Sequence, residues 1–168
     1  MSNRTRLAKQ RTVAVTQRLL EIEPLLVKEN DTVGAVMRRS AAQPETRLIG
    51  VVDDAGILVG VIPILRLAET VIAHVVPESL MGGIADVADV ARFGHAVEAR
   101  SAREAMVPPA SIAPEATIGD AFKEMHRLRL SGLYVVDPVG RPTGYLDLLE
   151  LAIQYLDAIE AEPAEAAD

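Results

Sequence analysis

The chain states one pattern twice. Thr32-Val33-Gly34 opens a segment that runs on to Val51-Val52-Asp53-Asp54-Ala55-Gly56 and then Gly60. Thr117-Ile118-Gly119 opens a second, which runs on to Val135-Val136-Asp137-Pro138-Val139-Gly140 and then Gly144. The copies are offset by 85 residues at their start and 84 at their end, so repeat one carries one extra residue. A unit of this size does not bury its own hydrophobic face. Two copies pack together, and the seam becomes the natural place for a ligand.

Composition narrows the classes. Hydrophobic residues make up 49% and charged residues 24%, which is globular rather than disordered. Aromatics are 3% with no Trp, so Val, Leu, Ile, Ala and Met must build the core. There is no Cys, which removes disulfides, thiolate zinc sites and thiol nucleophiles together. The net charge of −7 argues against general nucleic-acid binding. The longest charge-free run in the apolar middle, Ala55 to Leu65, is too short to span a bilayer. The cations Arg4, Arg6, Lys9 and Arg11 are not followed by an uninterrupted apolar stretch, so no signal peptide is expected and the cytoplasm is the expected location. Asp157, Glu160, Glu162, Glu165 and Asp168 make an acidic end opposite that basic start. Both read first as solvated helix faces or frayed tails.

The periodicities give five elements per repeat. Residues 5–22 read as a leading helix with Leu7, Arg11, Val15, Leu19 and Ile22 on one face, closed by Pro24. In repeat one, Leu25 to Val27 is a strand, and Asp31 or Thr32 caps a helix with Val33, Val36 and Met37 inward. Leu48–Val52 and Ile57–Ile62 are strands joined by a tight turn that Gly56 closes. Pro63 starts a helix with Leu65, Ala68, Ile72 and Val75 on its face. In repeat two, Ser111 to Ala113 is a strand. Thr117 and Asp120 form a capping box before Ile118, Ala121, Phe122, Met125 and Leu128. Leu133–Val136 and Thr143–Leu146 flank a turn at Asp137–Gly140. A helix follows from Asp147 to about Ala161, with Leu148, Leu151, Ala152, Tyr155 and Ile159 inward. The expected organisation is a leading helix in 1–24, repeat one in 25–77, a connector with a helix in 78–106, repeat two in 107–161 and a disordered acidic tail in 162–168. Within the connector, Gly82-Gly83 breaks the chain and Ser101 caps a short turn through Met106.

These features resemble a tandem pair of CBS domains, the regulatory unit called a Bateman module. The likeness rests on Thr-hydrophobic-Gly at each helix start, on the two Val-Val-Asp-x-x-Gly-x-x-x-Gly hairpins, and on Arg103-Glu104-Ala105-Met106-Val107-Pro108 before repeat two. It covers roughly residues 25–155. The resemblance implies an α/β fold of two β-α-β-β-α repeats related by a pseudo-twofold axis and packed through their sheets. It also implies a homodimer and a non-catalytic role. Adenine nucleotides such as AMP, ADP or ATP, or an S-adenosyl compound such as S-adenosylmethionine, bind between the repeats of family members. Occupancy is reported to an attached or associated enzyme, channel or transporter.

Carried onto this sequence, the likeness implies nucleotide contacts from Ser111, Ile112, Gly132, Leu133, Tyr134, Leu146 and Glu150 in repeat two, and from Ile62 and Arg66 in repeat one. The family places a phosphate-side hydroxyl and a ribose carboxylate in Gly-hydrophobic-hydrophobic-Ser/Thr-x-x-Asp. Both copies depart from this. Repeat one has Pro63 and Arg66 at those positions, and repeat two has Asp147 and Glu150. Arg66 can meet a phosphate but cannot accept from a ribose, whereas Glu150 can accept. Asp147 beside a phosphate is repulsive unless a cation intervenes, and both Pro63 and Asp147 suit a helix start on folding grounds alone. Tyr134 either stacks on a ligand or fills the cleft in its absence. His74, His95 and His126 lack metal-ligand spacing, and no nucleophile motif is present, so neither a metal site nor an enzyme is expected. The competing reading is a dimerisation or scaffold module whose clefts have lost nucleotide binding.

Overall fold

A computed structural model describes residues 10–20, 22–75 and 99–160. The connector helix expected around Ile84 to Phe93, His95 and the acidic tail all lie outside the described residues. In chain order the elements are α1 (Val13–Leu20), β1 (Leu26–Lys28), α2 (Val33–Ala42), β2 (Leu48–Val52), β3 (Leu58–Pro63) and α3 (Ile64–Val75). There follow α4 (Ala102–Ala105), β4 (Ser111–Ile112), α5 (Ile118–Leu128), β5 (Gly132–Val136), β6 (Pro142–Asp147) and α6 (Leu148–Glu160). Each repeat is thus strand, helix, strand, strand, helix. The chain is an α/β protein with two three-stranded sheets, ordered β1-β2-β3 and β4-β5-β6.

One compact unit is Leu25–Pro109. Its β1 runs parallel to β2, and β2 runs antiparallel to β3. Every residue of the central strand β2 is buried, as expected of a strand flanked on both edges. Ile49, Val51 and Ile62 form a core with Val33 and Val36 of α2, Leu67 of α3, and Ala102 and Ala105 of α4. The Thr32 hydroxyl caps α2 by accepting from the Ala35 N–H (3.3 Å). Segment 101–107 is stitched to the edge of β3 by two backbone bonds between Val61 and Val107 (3.1 and 2.8 Å). A Cβ at Gly60 would collide with the Met106 thioether. This glycine therefore serves a close approach by a distant segment, and not only the hairpin.

The other unit joins the N-terminal residues through Pro24 to the chain from Ala110 onward. Its first strand and its hairpin repeat the bonding of the first unit. The Tyr134 N–H donates to Ala110 O as that of Gly50 does to Leu25 O (3.0 and 2.9 Å). Both hairpins bulge at the same place, between Val51 and Val52 and between Val135 and Val136. Asp53 Oδ1 accepts from the Ala55 and Ile57 N–H groups, and Asp137 Oδ1 from those of Val139 and Arg141. Gly56 and Gly140 take φ of 80° and 93° to close the two turns. The capping box is present, with the Asp120 N–H donating to the Thr117 hydroxyl (3.2 Å) and that hydroxyl to Asp120 Oδ2 (2.7 Å). Here α1 plays the part that segment 101–107 plays in the first unit. The Val13 N–H donates to Ala116 O (2.9 Å) and Gln17 Nε2 to Thr143 O (2.9 Å), while Gly144 leaves room for the Gln17 amide.

Several expectations need correction. The leading helix is not continuous over 5–22: Thr12 is an extended bridge partner of Thr117, and α1 begins at Val13 and ends at Leu20. It buries Val13 and Thr16 and leaves Val15 and Leu19 more than half exposed, because its tether to residues 114–118 sets the rotation. On α3 Leu67 and Thr70 are buried, whereas Leu65 is 69% exposed. On α6 Leu151 is buried as expected, whereas Leu148 is 37% exposed. Pro63 and Asp147 close their strands, and each helix begins one residue later.

Candidate functional site

The β6–α6 junction concentrates the polar chemistry of the second unit. Successive strand residues alternate faces, and cross-strand partners share one. Tyr134 pairs with Tyr145, Gly132 with Asp147 and Ser111 with Tyr134, so these five lie on one face of the sheet. Leu133 pairs with Leu146 and Ile112 with Val135, which places them on the opposite face. The sheet thereby divides the expected site residues. Ser111, Gly132 and Tyr134 share a face with Asp147, whereas the side chains of Ile112, Leu133 and Leu146 point away from it. Leu133 and Leu146 are fully buried. Sequence reasoning took neighbouring residues together where period 2 separates them.

Tyr134 and Tyr145 are both fully buried, with ring centroids 5.3 Å apart and tilted by 52°. The Tyr145 hydroxyl reaches over Gly132, where a Cβ would overlap it. It donates to Asp147 Oδ2 (3.3 Å), and Asp147 Oδ1 accepts the Leu149 N–H (2.9 Å). Asp147 itself is fully buried. It acts as the N-cap of α6, satisfying a donor that the helix start would otherwise leave open. One turn on, Glu150 is half-buried with no hydrogen-bond or ion-pair partner among the described residues. Both carboxyls sit at the positive end of the helix dipole. Ser111 is exposed at the sheet edge.

Repeat one offers different groups at the same places. Ile62 is fully buried and belongs to the core beneath α2 and α3. Pro63 has no side-chain acceptor. Arg66 Nε donates to Ala105 O (2.8 Å), so its guanidinium already serves to tie down the end of α4. That contact spans 39 residues of sequence and could not be read from spacing.

The second unit also has an open cleft of about 590 Å³, lined by Phe122, Met125, His126, Arg129, Leu130, Ser131 and Leu148. It lies between the end of α5 and the start of α6, and none of the expected site residues line it. Among the described residues no cluster of three metal-ligating side chains occurs, and no helix is long and apolar enough to cross a membrane.

Known proteins share this sequence in part and this fold more widely. The CBS domain model matches residues 102–155. No curated protein matches the chain. Among solved structures, a CBS domain-containing protein from Thermotoga maritima is 23% identical with a TM-score of 0.70, covering 93% of this chain and 99% of that one. A CBS domain pair solved with 5′-methylthioadenosine and S-adenosyl-L-methionine is 16% identical, with a TM-score of 0.65 over 88% of this chain and 97% of that one. CBSX2, a CBS-pair protein of Arabidopsis thaliana solved with AMP, is 19% identical, with a TM-score of 0.62 over 87% and 96%. Residues 102–155 thus match a CBS domain, and across both repeats the chain shares the fold of solved CBS-domain pairs.

Proposed function

We propose that this chain is a non-catalytic regulatory module that binds an adenine-containing small molecule and signals its occupancy to a partner protein. The observation that carries the reading is the shared fold, which similar pairs use to hold AMP, 5′-methylthioadenosine and S-adenosyl-L-methionine. Of the expected contacts in repeat two, Glu150 is half-buried and Ser111 exposed, and a carboxylate suits the two hydroxyls of a ribose. The module works as a cytoplasmic homodimer and regulates an enzyme or transporter. A ligand acts by preferring one conformation of the pair, and it shifts the population only by its differential affinity.

A second reading has its own support. Arg66 holds α4, Asp147 caps α6, and the two tyrosines fill the sheet face. Each such group has a folding role without a ligand, as in a dimerisation scaffold that has lost nucleotide binding. Thermal denaturation with AMP, ATP, 5′-methylthioadenosine and S-adenosylmethionine separates the two. A ligand at a hundredfold excess over its Kd stabilises by about 2.7 kcal/mol. In a chain of this size that raises the melting temperature by several degrees, about 5–10 °C. A saturable rise with any of the four supports the sensor. An unchanged melting temperature with all four establishes the scaffold.

A further inference from the structure

We infer that the cleft between the end of α5 and the start of α6 is a separate binding site, for a small organic acid with an apolar body and one carboxylate. The site goes beyond the adenine reading and does not depend on it, since none of the residues expected to contact a nucleotide line this cleft. Its volume of about 590 Å³ is that of a small-molecule site. The lining divides by chemistry. Phe122, Met125, Leu130 and Leu148 are apolar, whereas His126, Arg129 and Ser131 are polar. Met125 is fully buried, and the Phe122 ring meets Tyr155 of α6 edge-on with centroids 6.3 Å apart. The chain around the cleft is tied down. The Leu130 N–H donates to Met125 O (3.0 Å), and the Leu148 N–H donates to Ser131 O (2.8 Å).

The polar residues specify the head group. Each carries a side-chain donor, and no carboxylate lines the cleft. Among the described residues, the side chains of His126, Arg129 and Ser131 have no hydrogen bond or ion pair. The other cations of α5 differ, since Lys123 is paired with Asp120 (3.1 Å) and Arg127 with Glu124 (2.5 Å). In a chain of net charge −7, a cleft with a free guanidinium and no acid is a place for an anion. Arg129 stands there at φ 55°, a conformation that glycine adopts more readily. Folding alone thus favours another residue, and the guanidinium is what arginine adds. A guanidinium meets a planar carboxylate with two parallel N–H bonds. One such group balances one negative charge, which favours a monoanion over a dianion.

The test is a two-dimensional amide NMR titration of the full chain with decanoate and, separately, with 1-decanol, which has the same apolar body without the charge. Decanoate is expected to shift the amides of residues 122–131 and 148 saturably, and to bind about tenfold more tightly than decanol, as one charge-assisted hydrogen bond provides. Arg129→Gly suits the backbone and is expected to lose about tenfold in decanoate affinity while decanol binding is unchanged. Leu148→Ser, at an exposed position, is expected to weaken both ligands alike. A dispersed spectrum establishes that each variant is folded. Decanoate and decanol affinities within about twofold of each other, or an Arg129→Gly variant within about twofold of the parent for decanoate, overturn the carboxylate assignment. Shifts confined to Ile153 and Leu156, the exposed apolar residues farther along α6, overturn the site. So does the absence of any shift in 122–131, the result expected if a second copy of the chain covers the cleft.

Discussion

The two sheets share a backbone and differ in what they place on one face. In repeat one that face carries Leu48, Gly50, Val61 and Pro63, with no side-chain polar atom. In repeat two the matching residues are Gly132, Tyr134, Tyr145 and Asp147. The register of the strands, the bulge and the Asp-to-Gly turn are the same in both. Backbone geometry is thus held by local chemistry that either copy can supply. The side chains of this face are free to diverge so long as volume is conserved. In repeat one Leu48 fills the end of its own strand. In repeat two Gly132 leaves that space, and Tyr145 reaches across to fill it. Chemistry has moved into repeat two, and aliphatic packing has stayed in repeat one.

The sharpest way to break the comparison is to exchange these residues. Gly132→Leu puts a side chain where the Tyr145 ring already lies. Overpacking against a rigid buried aromatic is expected to cost about 3 kcal/mol, or roughly 10 °C in melting temperature. Tyr145→Val alone opens a cavity and costs a similar amount, about 3 kcal/mol. The double variant restores the pair found in repeat one and is expected to recover at least half of the summed loss, a coupling of the kind contacting residues show. Additive losses in denaturant titrations would mean that the two faces are not volume-equivalent.

The parts common to both repeats were the legible ones. Asp53 and Asp137, with Gly56 and Gly140, announce their turns because each acts within four residues. Thr32 and Thr117 announce their caps for the same reason. Strand limits fall within one or two residues of expectation. The buried faces of α1 and α3 were not legible, and on α6 the expectation failed at Leu148. Leu65 and Leu67, or Leu148, Leu149 and Leu151, offer apolar residues in more than one direction, and tertiary contacts choose among them. The roles of Gly60, Gly144 and Arg66 depend on Met106, Gln17 and Ala105, which lie far away in sequence. For the site, the sequence marks Asp147 and Glu150 as unusual. It does not show that Tyr145 completes the Asp147 arrangement, although alternation along β6 places residues 145 and 147 on one face.

Acid distinguishes the two units less strongly. In the second unit the Arg141 N–H, helped by those of Val139 and Gly140, holds Asp137 below its ordinary pKa. The Thr117 hydroxyl, helped by Lys123, does the same to Asp120, and the Arg127 guanidinium lowers Glu124. In the first unit the N–H groups of Arg100 and Ser101 lower Glu104. A carboxyl whose folded pKa is depressed contributes stability that is present above its unfolded pKa. That contribution is lost as pH falls through the folded value. Stability is therefore expected to be level from pH 7 to about pH 5 and to decline below about pH 4. Hydrogen exchange should rise first in β5–β6 and later in β2–β3. Asp137→Asn should shrink the acid loss in β5–β6. Loss beginning in β2–β3 would reverse the order of the two units.

The smallest expected effect concerns how the two repeats end their first helix. The last residues of α2 lead into Gln43 at φ −136° and ψ 68°, an exit without positive φ. α5 ends instead on Arg129 at φ 55°, the only non-glycine residue with positive φ among those described. The Leu130 N–H returns to Met125 O (3.0 Å) and that of Arg129 to His126 O (3.2 Å), the bonding of a left-handed helix stop. Such a stop favours glycine, because a Cβ there crowds the backbone by about 1 kcal/mol. The Arg129 side chain is exposed and has no hydrogen bond or ion pair among the described residues, so its removal forfeits little. Glycine also has more freedom to lose from the unfolded chain, which offsets part of the gain. Arg129→Gly is therefore expected to stabilise by about 0.5 kcal/mol, whereas Gln43→Gly, at a site without positive φ, is expected to destabilise by about as much. Opposite signs in paired denaturant titrations would confirm that the duplicated helices are stopped by different devices. Matching signs would show that the left-handed exit of α5 carries no strain.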